Sequence, residues 1–232
     1  MAAPRRGRAA SSVTEPVLPE DRSARKRRDV IDAATTLFLE RGYLGTSMDQ
    51  IAAFARVSKP TVYKFFVDKE SLLTHIVLGT LERAGQPFRA ELTALAATDD
   101  LEADLRLAAR NYLATVMQPA VLRLRRLVIG ASPQLPDLAR AYYSRAPEQT
   151  IQALAECVQT LADRGLLRIS DPQAAAAHFA FLVIGQALDK SLFCGDSPFS
   201  ARQLAGQADS GVSAFLAAYG PADPGRLPRD AV

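Results

Sequence analysis

The sequence has little cysteine and little histidine, the residues on which disulfide frameworks, metal sites and many active sites depend. Only Cys157 and Cys194, and only His75 and His178, occur among its 232 residues. The cysteines lack the paired spacing of a disulfide framework or a zinc site, and they fit a reducing compartment, which predicts a cytoplasmic protein. Neither histidine has a metal-spaced partner or a nucleophile motif beside it. We therefore expect no catalytic residue, no metal and no cofactor. An enzyme that works with scattered carboxylates is the alternative.

Long hydrophobic runs are missing too. The longest segment without a charged side chain spans residues 172–188, which is only seventeen residues, whereas a membrane span needs about twenty mostly apolar ones. The arginines near the N-terminus are not followed by an apolar run, so no secretory signal is expected. Alternating patterns that would predict strands are absent. The chain is therefore expected to be all-α, with about nine helices and no membrane partner.

Positive charge is concentrated at one end of the chain. The net charge is +3, but residues 1–28 hold eight Arg and Lys against three acids, so this end carries +5 and the rest −2. This asymmetry predicts an anionic partner for the N-terminal part, although a solvated basic tail would show the same charge run. Residues 1–22 lack periodicity and are predicted to be a flexible basic tail, and residues 221–232 a C-terminal tail.

Helical periodicity dominates between these tails. The first helix places its apolar residues at the helical spacing, namely Val30, Ala33, Ala34, Leu37 and Phe38. A longer pattern runs from about residue 137 to 164, and its length allows a break near Pro147. Asp171 followed by proline predicts a capped helix start. That helix, at about 172–193, is apolar nearly all round, and a last amphipathic helix follows at about 202–219.

The stretch TSMDQIAAFARVSKPTVYKFF combines helix caps, cations, a proline and a tyrosine within a short length. Thr46 or Ser47 can cap a first helix, with Asp49 or Gln50 completing a capping box. The period breaks at Arg56-Val57, after which Ser58 caps a second helix that tolerates proline in its first turn. Two short capped helices with so brief a connection predict a helix-turn-helix.

The second of these helices has two distinct faces. At about 100° per residue, Val62, Phe65 and Phe66 cluster on one side. Lys64 lies opposite them, and Tyr63 and Thr61 flank it. An exposed aromatic residue beside cations suits contact with phosphates and base edges. The cations at 25–28 oppose the dipole of the first helix, which a phosphate backbone would compensate.

The segment TSMDQIAAFARVSKPTVYKFFVDKESLL resembles the DNA-binding domain of TetR-family transcriptional regulators. The resemblance implies a three-helix domain over residues 23–70, with a helix-turn-helix at about 47–66 whose second helix enters the major groove. The DNA contacts implied by matching position are Thr46, Lys59, Thr61, Tyr63, Lys64 and Lys69, and Ser58, the cap of the second helix, is expected to join them. Tyr63 and Lys69 would hold phosphate, while Thr61 and Lys64 would lie nearest the base edges.

Arg56 departs from the family pattern, because many members have glycine in this turn. If the backbone at Arg56 is left-handed, the arginine is strained but gains a phosphate contact. Arg56 is therefore included among the expected DNA-binding residues.

The segment from about 127 to 193 is similar to the C-terminal domain of AefR-like TetR regulators. This similarity implies that residues 71–220 form a helical effector-binding and dimerisation domain, with a homodimer built mainly by the last two helices. A helix apolar nearly all round must be covered on both sides, and a second copy could cover one of them. The residues expected at the dimer interface are Phe179, Val183, Val212 and Phe215.

Polar-tipped side chains on apolar helices are the candidates for effector contacts. They are Tyr112, Tyr142 and His178, each of which could equally be a satisfied core residue. Tyr143 is left out, because it cannot share the direction of Tyr142. The leading hypothesis is a dimeric repressor that binds a palindromic operator in double-stranded DNA and is released by a small, largely apolar effector. A DNA-architectural protein without a ligand is the further alternative.

Overall fold

The computed structural model describes residues 22–195 and 198–221, with the side chains of 84–87 left out. Its α-helices are α1 (Arg22–Arg41), α2 (Met48–Phe54), α3 (Lys59–Phe65), α4 (Lys69–Ala96), α5 (Leu101–Val116), α6 (Pro119–Ala131), α7 (Pro136–Tyr143), α8 (Gln149–Asp163), α9 (Pro172–Cys194) and α10 (Ala201–Tyr219). A π-helical segment, Ser144–Glu148, joins α7 to α8 without a gap. The described ranges thus hold nine continuous helical segments and no strand, which confirms the predicted class. The predicted tails lie, but for Arg22 and Pro221, outside the described residues.

None of the helices in the described ranges has the length and apolar character that a membrane crossing demands.

The break near Pro147 is a widened turn rather than a stop. Pro147 lies inside the π-helical segment Ser144–Glu148, where the chain changes from α7 to α8. A proline has no N–H to donate and its ring collides with the carbonyl of the preceding turn, so an uninterrupted α-helix is unfavourable here. Opening one turn to π geometry accommodates the ring and keeps the helix going.

The hydrophobic core has two parts. The first joins α1, α2, α3 and the start of α4 through residues such as Val30, Phe38 and Ile51, and it also includes Leu124 and Val128 of α6. The second lies among the rest of α4 and helices α5, α8, α9 and α10. Since α4 and α6 contribute to the N-terminal core as well as to the body, the N-terminal unit does not pack in isolation.

The expected dimer residues require a correction. Phe179, Val183, Val212 and Phe215 are all buried inside the single chain. The rings of Phe179 and Phe215 meet edge to face with their centroids 5.2 Å apart. The reason is that α8 and α10 of the same chain pack on α9 and cover its apolar sides. These four side chains hold α9 to α10 and are not available to a second copy.

A different part of α9 faces outward. Leu182 and Phe193 are large, exposed hydrophobic side chains on this helix, whereas the exposed Phe181 lines a cavity in the body. Beside Leu182, Gly211 of α10 approaches so closely that a Cβ atom there would lie 2.9 Å from the Leu182 carbonyl oxygen. The short Gly211 lets the two helices pack side by side, so they present one continuous outer surface.

Candidate nucleic-acid interface and internal cavity

Both short helices of the helix-turn-helix are capped as predicted. The Ser47 amide donates to Gln50 Oε1 at 2.8 Å, and the Gln50 amide donates back to Ser47 Oγ at 3.3 Å. This reciprocal pair is a capping box and identifies Gln50, rather than Asp49, as its second member. At α3, the Thr61 amide donates to Ser58 Oγ, and Pro60 occupies the first turn. The caps therefore set where each helix begins.

The two predicted faces of α3 are confirmed. Val62 is fully buried in the N-terminal core, and Phe66 just beyond the helix is nearly so. Tyr63 keeps 44% of its surface exposed, and Lys64 is exposed beside it. Thr61 is half-buried, and its hydroxyl hydrogen-bonds to the Ser58 hydroxyl at 2.7 Å. The core thus packs against one side of α3, and a lysine and a phenol on the other side face solvent.

Lys59 has a partner inside the protein. Its ammonium lies 2.8 Å from a carboxylate oxygen of Asp49, and both side chains are exposed. The hydrogen bond and charge of Asp49 raise the pKa of Lys59. Because the pair is open to solvent, Lys59 can exchange this carboxylate for a phosphate with little loss.

Thr46 and Lys69 take structural places, which corrects their expected role. Thr46 is only 2% exposed, and its hydroxyl donates to the carbonyl of Gly42 at 2.9 Å. The Lys69 ammonium donates to the carbonyls of Tyr43 and Thr46, at 2.8 and 2.9 Å, and lies 4.1 Å from the Tyr43 ring centroid. Desolvation in this setting lowers the pKa of Lys69. Both side chains hold the loop between α1 and α2 rather than pointing to an external partner.

Arg56, in the turn between α2 and α3, has a left-handed backbone. Its φ is +54°, and among the described non-glycine residues it alone has a positive value. A left-handed L-residue costs roughly 1–2 kcal/mol. Its side chain is exposed and lines a cleft of about 640 Å³ beside Arg25 and Lys26 of α1. The strained position therefore places a guanidinium in a cleft where four cations outnumber the two carboxylates, those of Asp29 and Asp32.

Replacing Arg56 with Gly should stabilise the fold and weaken DNA binding. Glycine adopts φ near +54° without a Cβ clash, so we expect the free energy of unfolding to rise by about 1 kcal/mol. Arg56→Ala is the matched control, because it removes the guanidinium but keeps the strain. Denaturant titrations should rank Gly above Ala in stability, while both variants lose the same DNA affinity. Equal stability of the two variants would contradict the strain.

The cations of the first turns of α1 diverge. Arg22, Arg25 and Lys26 line the cleft with Arg56. Arg27 points elsewhere: its guanidinium is 3.1 Å from Nε2 of His75 and lies over the Phe66 ring at 5.3 Å. Burial, and then the nearby positive charges of Arg27 and Arg83, lower the pKa of His75. Part of the basic run therefore ties α1 to α4, and part of it faces the cleft.

The body contains a cavity of about 830 Å³ between α4, α5, α6, α7, the π-helical segment, α8 and α9. Of the three expected effector residues, Tyr112 and Tyr142 line this cavity. His178 does not, because it is exposed and hydrogen-bonds through Nδ1 to the Tyr219 hydroxyl. Tyr143, which helical spacing set aside, does line the cavity. The sequence-based expectation is thus wrong in two respects: it included His178, which does not line the cavity, and it left out Tyr143, which does.

Sequence reasoning missed Arg125, the central polar group of this cavity. Its Nε donates to the Tyr142 hydroxyl at 3.3 Å, and it lines the cavity from α6. The available signal was its place around the helix: at about 100° per residue, Arg125 lies between the buried Leu122 and Val128, on the inward side of α6. Tyr112 stacks on Phe88 nearby, with ring centroids 4.8 Å apart.

Two family models match the chain. Residues 30–76 match bacterial regulatory proteins of the TetR family. Residues 103–221, just over half of the chain, match the C-terminal domain of AefR-like transcriptional repressors. Both matches name regulators and not enzymes.

Solved structures and curated relatives of this chain are transcriptional regulators as well. A TetR-family transcriptional regulator from Mesorhizobium loti MAFF303099 is 40% identical, with 87% of this chain and 100% of that chain covered and a TM-score of 0.79. The flavonoid-responsive regulator FrrA is 33% identical over 85% of this chain and 98% of its own, with a TM-score of 0.63. The HTH-type transcriptional regulator HbdR of Aromatoleum sp. (strain CIB) is 38% identical over 85 residues, 37% of this chain and 35% of HbdR. The chain spans about a third of the length of the curated relatives it first matches. A capped helix-turn-helix on a helical body, matched by both family models, shows that this chain belongs to the TetR family of transcriptional regulators.

Proposed function

We propose that the protein is a dimeric repressor that binds a palindromic operator and is released by a small-molecule effector. The observation that carries this proposal is α3, which the core holds from one side while Tyr63 and Lys64 face solvent in its second half. A helix presented in this way can enter the major groove. Double-stranded DNA as the partner also favours a cytoplasmic location, in agreement with the sparse cysteines.

The proposed DNA contacts fall into two groups. We expect Lys64 and Thr61 to contact base edges, and the Tyr63 hydroxyl to donate a hydrogen bond to phosphate. Ser58, Lys59 and Arg56 lie at the start of α3 and in the turn before it, where the positive end of the helix dipole favours an anion. The cleft cations Arg22, Arg25 and Lys26 extend the positive surface toward the backbone of the duplex.

The proposed dimer interface is the outer surface of α9 and α10. Leu182 and Phe193 are exposed there on α9. The outer face of α10 carries small residues, namely Gly206, Ser210, Ser213, Ala214 and Ala217, all of them exposed. Small side chains let a second helix pair approach closely, and an isologous contact would set two α3 helices against two half-sites.

The proposed effector site is the cavity of about 830 Å³, a volume within the range of small-molecule sites. Its walls include Leu78 of α4 and Val128 of α6, both of which also pack in the N-terminal core. A ligand that prefers one arrangement of these walls would bias the position of the DNA-binding helices. FrrA, a neighbour at 33% identity, is flavonoid-responsive, which supports small-molecule sensing in this chain.

Selection of bound duplexes from a random DNA library tests the proposal. We expect the full-length protein to recover a palindromic sequence whose half-sites are about one helical turn apart or a multiple of this distance. Affinity for it should fall steeply as salt is raised, because phosphate contacts release counterions. Recovery of no sequence preference, or of sites without two-fold symmetry, would contradict a dimeric operator-binding repressor and favour an architectural role.

A further inference from the structure

The charged side chains that line the cavity are mainly positive. Arg89 of α4, Arg125 of α6 and Arg145 of the π-helical segment line it, and Glu82 is the acidic side chain in its described lining. In the part of the chain that the structure describes, none of the three arginines forms an ion pair with a carboxylate. Arg89 donates instead to the neutral side-chain oxygen of Gln149, at 3.1 Å. The cavity therefore has surplus positive charge.

Arg125 is the most enclosed of these three groups. It is half-buried, and its Nε donates to the Tyr142 hydroxyl, while its guanidinium carbon lies 5.9 Å from the Tyr142 ring centroid. Its positive charge also reaches Tyr112, where it opposes the burial that raises the pKa of that phenol to about 12. Tyr112 therefore stays protonated at neutral pH and keeps a hydrogen to donate.

The donors in this cluster outnumber the acceptors. An arginine has five N–H groups and accepts nothing, and only one of those of Arg125 is directed to Tyr142. The Tyr142 hydroxyl, having accepted from Arg125, has its own hydrogen left to donate. A half-buried guanidinium beside apolar walls is unfavourable unless an anion compensates it. A carboxylate only accepts hydrogen bonds, and it matches the planar fork of arginine.

We propose that the effector is an amphipathic carboxylate, an aromatic or aliphatic acid whose carboxylate pairs with Arg125 between Tyr112 and Tyr142. The apolar body of the acid fills the rest of the cavity, against side chains such as Val116, Ile184 and Leu188. This inference names the class of effector for the proposed repressor and rests on that function for the release step.

Helix α6 connects the proposed carboxylate site to the N-terminal unit. It packs against α1 in the N-terminal unit and against α5 and α9 in the body. Leu124, one residue before Arg125, is buried in the N-terminal core. Arg126, one residue after it, donates to the carbonyls of Ser191 and Gly195 at 2.8 and 2.6 Å. A carboxylate that draws Arg125 into the cavity thus acts on the helix that joins the cavity to α1 and to the end of α9.

Titration calorimetry on the full-length protein without DNA tests the charge preference. The probes are phenylbutyrate, naphthoate and decanoate, each compared with its own carboxamide, which keeps the body and removes the charge. We expect at least one acid to bind about tenfold or more tightly than its amide, as hydrogen bonds to a charged group allow. If the amides bind as well as the acids, or if no acid binds, the proposal is overturned.

Variants locate the preference at Arg125. Arg125→Met should abolish the difference between acid and amide, and Arg125→Lys should keep part of it. Arg123→Met is the matched control, because Arg123 is exposed on the same helix and does not line the cavity. Should the acid preference survive in Arg125→Met, or vanish equally in Arg123→Met, the assignment to Arg125 is wrong. Tyr142→Phe removes the hydroxyl that accepts from Arg125 and leaves the guanidinium in place, so it measures the contribution of the hydroxyl separately.

A final measurement separates this inference from the proposed function. The acid that binds best is added to the complex of the protein with its selected operator, and release is followed by fluorescence anisotropy. Release by the acid and not by the amide supports both proposals. Arg125-dependent binding without release would leave the carboxylate site standing and contradict the effector-released repressor.

Discussion

Replacing Lys64 with Ala should weaken operator binding by about 1–3 kcal/mol per half-site, which amounts to about 30-fold to 10⁴-fold for a dimer on two half-sites. Lys64 is exposed on the outward face of α3 and is proposed to read base edges. Its neighbour Val62 anchors the helix from the opposite face, so removing the lysine leaves the packing of α3 unchanged. Gel-shift titrations at fixed salt would measure the loss.

The control for this experiment is Arg123→Ala. Arg123 is exposed on α6, which belongs neither to the helix-turn-helix nor to the proposed dimer surface, and its replacement removes the same charge from the protein. Its operator affinity should stay close to that of the unmodified chain. A base contact would further show as relaxed preference at one position of each half-site, whereas Tyr63→Phe should weaken all sequences alike. Unchanged affinity of Lys64→Ala would remove α3 as the recognition helix.

Replacing Phe215 with Ala should reduce the free energy of unfolding by about 3–5 kcal/mol, the usual loss for a phenylalanine removed from a core. The Phe215 ring is fully buried between Phe179 and Tyr219, with ring centroids 5.2 and 4.9 Å away. The cavity left behind would lie between α9 and α10 of one chain. Denaturant unfolding at several protein concentrations would separate this loss from any change in dimerisation.

A matched pair of variants tests the corrected interface. Leu107→Ala truncates a hydrophobic side chain that is exposed on α5, and it should change stability by no more than about 0.5 kcal/mol. Leu182→Asp puts a charge on the outer surface of α9 and should shift sedimentation toward the monomer while the protomer stays folded. If Phe215→Ala dissociates the dimer without loss of protomer stability, or Leu182→Asp leaves the dimer intact, the roles assigned to these residues are reversed.

The N-terminal unit was largely readable from the sequence because its signals are local. Ser47 with Gln50, and Ser58 with the proline at residue 60, are caps that act within one turn. The spacing of Val62 and Phe66 separated the buried face of α3 from the face that carries Lys64. Thr46 and Lys69 could not be placed in this way, because their partners are carbonyls of a loop whose path depends on how α1 and α2 meet.

For the body, the sequence predicted the helices but not how they pack against one another. Spacing could tell that α9 is apolar nearly all round, but not whether α8 and α10 or a second copy covers each side. Similarly, Tyr142 and Tyr143 diverge on a straight helix, yet both line the cavity, which seven helical elements surround. Distances between residues far apart in sequence decide both questions.

The amino-acid sequence alone determined the all-α class, the capped helix-turn-helix and the outward face of α3, since caps and helical spacing depend on residues only three or four positions apart. The tertiary structure alone decided that Phe179 and Phe215 belong to one protomer, that Thr46 and Lys69 brace a loop, and that Arg125 faces a cavity between Tyr112 and Tyr142. Burial and charge compensation depend on which helices pack together, and a local sequence pattern does not specify that packing.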